Sequence, residues 1–138
     1  MGFRYGKKSS AKLEAGHPAL VKLAMRVIEI TPYDIAILRV MTTPELQQAL
    51  VDSGASQSMD SYHLPQHDGK AHALDYGVLV GGKYINGDTK EEMGYYRKVN
   101  QAFVTAAIEL DIQIELGGLW RDFVDAGHIQ LNRKYYGR

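Results

Sequence analysis

Cysteine is absent from the 138 residues, which excludes disulfides, thiolate metal ligands and a cysteine nucleophile. Any metal must therefore be held by histidine and carboxylate. An excess of charge of either sign is missing as well. Sixteen Lys and Arg stand against sixteen Asp and Glu, so no broad basic field invites nucleic acid and no polyacidic tail is present. No apolar run approaches the length of a membrane span. The N-terminal stretch MGFRYGKKSSAKLEAG has basic residues but not the apolar run of a secretory signal peptide, and Gly6 stands where a myristoylation signal wants Ser or Thr. Repeats, low-complexity tracts and interdomain linkers are lacking. The expectation is one domain over residues 1–138, made as a soluble cytosolic protein.

What is present is a mixture of helical and strand patterns. After Pro18, the residues Leu20, Leu23, Ala24, Val27 and Ile28 recur at three-to-four spacing and predict an amphipathic helix ending near Thr31-Pro32. Asp34 to Val40 is short and rich in Ile, Leu and Val, which predicts a strand. Thr43 and Pro44 cap and open a second helix that Gly54 ends. ALDYGVLVGGKYI, from Ala73, predicts a hairpin turning at Gly81-Gly82, with Leu74, Tyr76, Val78 and Val80 on one face and Asp75 on the other. Glu91 to Asp111 is the longest helical pattern. Ile112 to Leu116 reads as a strand, Gly117-Gly118 as a turn and Gly127 to Leu131 as a final strand. The sum is an α+β domain with a small antiparallel sheet and about three helices.

The chemistry is concentrated in SYHLPQHDGKAHALDY, Ser61 to Tyr76, which holds His63, His67 and His72. A lone histidine is more often a surface residue or a hydrogen-bonded core residue than a ligand. His17 has no histidine or carboxylate neighbour in sequence and is read as a non-ligand. His63 is followed twelve residues later by Asp75, a carboxylate on the polar face of a strand, where it needs a partner. In Gly-His-Ile-Gln-Leu, Ile129 and Leu131 point to the core, which turns His128 and Gln130 the other way. Two imidazoles and one carboxylate suit a catalytic zinc with a fourth position for water. Asp125 stands three residues before His128 and shares its site only if Asp125-Ala126-Gly127 is a turn. A carboxylate placed there, beside the metal, can take the proton of the zinc-bound water.

These residues resemble the zinc peptidases of the D-alanyl-D-alanine carboxypeptidase and L-alanyl-D-glutamate endopeptidase group, whose metal site is shared with lysostaphin-type peptidases and hedgehog domains. Ser61-Tyr62-His63 with Ala73-Leu74-Asp75 matches the first motif, and Gly117-Gly118-Leu119-Trp120 with Asp125-Ala126-Gly127-His128 matches the second. The likeness is greatest to the single-domain endolysins of phages that infect Gram-negative bacteria. It includes Phe3-Arg4-Tyr5-Gly6-Lys7 and Thr31-Pro32-Tyr33-Asp34. The resemblance implies His63, Asp75 and His128 as Zn2+ ligands and Asp125 as catalytic base. It implies a monomeric enzyme cutting the L-alanyl-D-glutamate bond of the bacterial peptidoglycan stem peptide, with no nucleic acid partner and no membrane span. Such an enzyme is made in the host cytoplasm, acts in the periplasm, and needs a separate membrane-permeabilising factor to reach the wall.

Three departures from the family pattern stand out. The interval between His63 and Asp75 is longer than usual, so Leu64 to Lys70 reads as an insertion. The Ser61 motif favours His63, with His67 and His72 as alternatives. Thr42 stands where the family has an arginine facing the site, leaving Arg39, Lys70 and Arg121 as the cations on offer. Leu119 replaces an aspartate able to support a ligand histidine. D-alanyl-D-alanine carboxypeptidase activity and a non-catalytic, zinc-containing wall-binding domain are the rival readings. The basic tail from Asn132 to Arg138 is expected to be solvated.

Overall fold

The computed structural model describes residues 2–54, 60–120 and 124–137. Along the chain run α1 (Lys7–Leu13), α2 (Pro18–Ile30), β1 (Asp34–Arg39), α3 (Pro44–Asp52), β2 (Ala73–Val80) and β3 (Lys83–Ile85). There follow α4 (Lys90–Leu110), β4 (Ile114–Leu116), a 3-10 turn (Gly117–Leu119), β5 (His128–Leu131) and α5 (Arg133–Tyr136). The strand order is β1-β2-β5-β4, with β3 paired to β2, and every strand pairing is antiparallel. The α+β class and the small antiparallel sheet are therefore as expected from the sequence. No helix among the described residues is long and apolar enough to cross a membrane.

Local chemistry explains the boundaries. Pro18 and Pro44 occupy first-turn positions, where a missing N–H is harmless, and the Thr43 hydroxyl accepts the Leu46 N–H. Gly81 and Gly82 both adopt positive φ and close the β2–β3 hairpin. Thr89 and Glu92 form a reciprocal capping box at the start of α4. Thr89→Ala is expected to cost about 1 kcal/mol, seen as a lower urea midpoint at unchanged slope.

The core lies where α2 and α4 meet the sheet. Leu20, Leu23 and Val27 of α2, Val99, Phe103 and Ala106 of α4, and Leu74, Val78, Ile129 and Leu131 of the sheet are all buried in it. The alternation read from β2 holds, since Leu74, Tyr76 and Val78 are buried and Asp75 is turned to the other face.

Two helices exceed the three expected. In α1 only Ser9 and Leu13 are buried, too few to show a periodic stripe, and the helix is fastened to β1 by the Ser9 hydroxyl accepting the Ile37 N–H. The four residues of α5 form a single turn capped by Asn132. That turn corrects the reading of a solvated tail. Arg133 makes a two-pronged bond to the Asp60 carboxylate at 2.7 and 2.8 Å and lies over the Tyr62 ring at 3.8 Å, because a guanidinium matches both a carboxylate fork and an aromatic face.

Candidate metal centre and active site

Three residues from distant parts of the chain meet at the edge shared by β2 and β5. Asp75 pairs with His128 across the two strands, and His63 arrives from the loop before β2. Oδ1 of Asp75 lies 2.9 Å from Nδ1 of His128 and 3.2 Å from Nε2 of His63, and one ligand atom from each residue lies within 4.8 Å of the others. Both imidazoles are buried, and their rings meet edge to face at 5.1 Å.

The outer nitrogens define the tautomers. Nδ1 of His63 is 2.8 Å from the Val40 carbonyl, which only accepts, so that nitrogen carries the proton and Nε2 presents a lone pair. Nε2 of His63 is buried with no hydrogen-bond partner. On His128, Nε2 is 2.8 Å from Oε1 of Gln130, whose amide donates to Glu115 at 3.1 Å, so Nδ1 is the lone-pair nitrogen. Two imidazole lone pairs and a carboxylate oxygen thus face one another. Such an arrangement is repulsive unless a cation lies between them. A proton satisfies one pair, whereas a divalent metal satisfies all three.

The electrostatics agree with a cation-seeking site. Burial alone would raise the Asp75 carboxyl, but the imidazoles of His128 and His63 set against it hold it far below the usual carboxylate range. Burial would lower His128, and the Asp75 carboxylate overrides it and raises the imidazole. The Arg39 Nε donates to Oδ2 of Asp75 at 3.0 Å, leaving Oδ1 for the cluster.

Asp125 comes beside this group through the turn that the sequence required. Its Oδ2 is 3.9 Å from Nδ1 of His128 and its side chain is partly exposed. Burial, and then the charge of Asp75, push the Asp125 carboxyl above its ordinary value. The turn is pinned from three sides. The Asp125 N–H donates to the Gly117 carbonyl, the Tyr76 N–H donates to the Gly127 carbonyl, and the Asn100 amide donates to the Ala126 carbonyl. Close approach makes glycine necessary at two of these positions. A Cβ on Gly117 would stand 2.5 Å from the Asp125 carbonyl oxygen, and one on Gly127 would strike the Tyr76 carbonyl.

Of the three candidate histidines in the 61–76 segment, His63 is the one that joins Asp75 and His128. His67 bonds the Tyr136 carbonyl through Nε2, and His72 bonds Asp68. Thr42 is buried, and its N–H donates to the His63 carbonyl, so it contributes backbone to the site in place of a charge. Among the other cations, Arg39 touches the cluster, Lys70 is exposed, and Arg121 lies outside the described residues. Leu119 is exposed, and the outer nitrogen of His128 has its partner in Gln130. Trp120 lies 5.0 Å from the His128 ring. Sequence reading missed Val40, Gln130 and Glu115. The one available signal was Gln130 sharing a strand face with His128.

Comparison with known proteins places this geometry. The solved structure of the Serratia marcescens L-Ala D-Glu endopeptidase ChiX matches with a TM-score of 0.83 at 26% identity, covering 98% of this chain and 95% of that one. Fold and site together define a small endopeptidase. The chain belongs to the family of phage L-alanyl-D-glutamate peptidases, whose model matches residues 1–135. It is 28% identical over 142 aligned positions to the L-alanyl-D-glutamate peptidase of Escherichia phage T5, covering 95% of this chain and 99% of that protein. It is 40% identical over 105 residues to the L-alanyl-D-glutamate peptidase of Listeria phage A118, covering 75% of this chain. The chain spans only 32% of that longer Listeria phage protein. By family, then, it is an L-alanyl-D-glutamate peptidase, as the motifs implied.

Proposed function

We propose that this chain hydrolyses the L-alanyl-D-glutamate bond of the peptidoglycan stem peptide with Zn2+ held by His63, Asp75 and His128, and that a phage uses it to lyse its host. The observation that carries the reading is the buried Nε2 of His63, without a hydrogen bond and turned with Nδ1 of His128 onto the Asp75 carboxylate. Zinc bound there supplies a Lewis acid for the scissile carbonyl and lowers the pKa of its water to about 7.

The protein's own groups do the rest. Asp125, held just outside the cluster with a raised pKa, takes the proton of the attacking water and returns it to the leaving amine nitrogen. Arg39 fixes Asp75 through one oxygen and brings to the cluster the positive charge that Thr42 does not. The partly exposed indole of Trp120, beside His128, limits water on one side of the site. The enzyme acts as a monomer, is made in the host cytoplasm, and meets peptidoglycan once another factor has opened the membrane.

The test is digestion of isolated Gram-negative sacculi with and without chelator, with fragments identified by mass spectrometry. Hydrolysis is expected to fall to background with chelator, to return with zinc, and to expose a new amino terminus on D-glutamate. Cleavage indifferent to chelator overturns the metal reading. Fragments cut at another stem bond overturn the assigned substrate.

A further inference from the structure

A second histidine cluster lies on the side of the 61–72 loop that faces α2. His17 and His72 meet edge to face at 5.0 Å, and Oδ2 of Asp68 lies 3.0 Å from Nε2 of His72 and 3.9 Å from Nε2 of His17. One ligand atom from each of the three lies within 4.8 Å of the others, the same closeness found in the first cluster. His17 was expected to have no such neighbour. The fold supplies two, because the His17 N–H donates to the Ala71 carbonyl at 2.9 Å and the Ala71 N–H donates to Ala15 at 3.0 Å.

We propose that His17, Asp68 and His72 form a second metal site, for a divalent transition ion of the zinc class, which staples the His63 loop to the start of α2. Two imidazoles and a carboxylate, His17 from the start of α2 and Asp68 with His72 from one loop, are a ligand set for such an ion. His72 is buried at the floor of the site, while His17 and Asp68 are open enough at its mouth to admit an ion. Burial, with His72 adding to it, holds His17 below the usual histidine range, so its ring is in the neutral, ligating form at neutral pH.

Nδ1 of His17 accepts the Ala19 N–H at 3.0 Å. Ligation through Nε2 moves the ring proton to Nδ1 and forfeits that cap, a small loss beside a chelated transition metal. Asp68 belongs to the stretch that lengthens the His63–Asp75 interval, so the departure from the family spacing has brought in a ligand. The staple also bears on the catalytic cluster, because the His72 N–H donates to the carbonyl of Tyr62, which immediately precedes His63.

Zinc itself is the probe. After equilibration with Zn2+ and removal of the free ion, metal per chain is measured by plasma mass spectrometry for the wild type, His17→Gln, Asp68→Asn, His128→Ala and the triple variant. The expected values are about two equivalents in the wild type, about one in each single variant and none in the triple variant. Zinc is also expected to raise the melting temperature of His128→Ala, and adding His17→Gln with Asp68→Asn to that background is expected to abolish the rise. His17→Gln and Asp68→Asn alter residues at the mouth of the site, and unchanged zinc-free melting confirms that they fold. A single wild-type equivalent that His128→Ala loses and the other variants keep overturns the second site and leaves the proposed function standing. A single equivalent with the reverse pattern supports the second site and removes the ground for the catalytic zinc.

Discussion

Asp125→Ala is expected to lower turnover of peptidoglycan by roughly 10²–10⁴-fold, the range of a lost general acid–base group, while the metal stays bound. The separation of effects follows from position. Asp125 is 3.9 Å from the nearest ring nitrogen of the cluster, and its carboxyl is raised by burial and by Asp75, as suits a group that must exchange a proton with water. His128, by contrast, shares its Nδ1 with the cluster and is buried beneath it. His128→Ala is therefore expected to lose both metal and turnover. Measuring zinc per chain alongside kcat/KM for the two variants decides the matter. Equal metal loss in both makes Asp125 a ligand. Near-normal turnover in Asp125→Ala places the base elsewhere.

How much of this was legible in the sequence depends on how local the cause was. The Gly81-Gly82 hairpin, the Pro18 and Pro44 helix starts and the alternation that turns Asp75 off the core face are fixed by neighbours a few residues away, and all were readable. The turn at Asp125 was readable too, because a spacing of three on a strand forbids a shared face unless the backbone bends. What stayed hidden depends on pairing across long loops. Glu115 lies opposite Gln130 because β4 pairs with β5 in that register, and no pattern within either strand shows it. His17 was taken as isolated because its partners are more than fifty residues away, brought near by a lone parallel bridge between Gly16 and Ala71. Asp60 and Tyr62 escaped notice as partners of Arg133 for the same reason.

Gln130→Leu is expected to weaken zinc binding by about 10–100-fold, the usual effect of removing the partner that orients a ligand histidine, with little change in secondary structure. The Glu115 carboxylate only accepts, so the Gln130 amide nitrogen must face it and the Gln130 oxygen must face His128. That oxygen in turn demands a proton on Nε2 of His128, which leaves Nδ1 bare toward Asp75. One hydrogen-bonded chain from the half-buried Glu115 through Gln130 thus sets the tautomer of a candidate ligand. With leucine at 130, Nε2 is buried without an acceptor. The imidazole then gains by moving its proton to Nδ1, where the Asp75 carboxylate takes it and the metal-binding lone pair is lost. Gln130→Glu restores an acceptor and is expected to recover most of the affinity, although its carboxylate must now face Glu115. Zinc competition titrations on the three proteins read the effect directly. Affinity unchanged in Gln130→Leu would mean that Gln130 does not set the His128 tautomer.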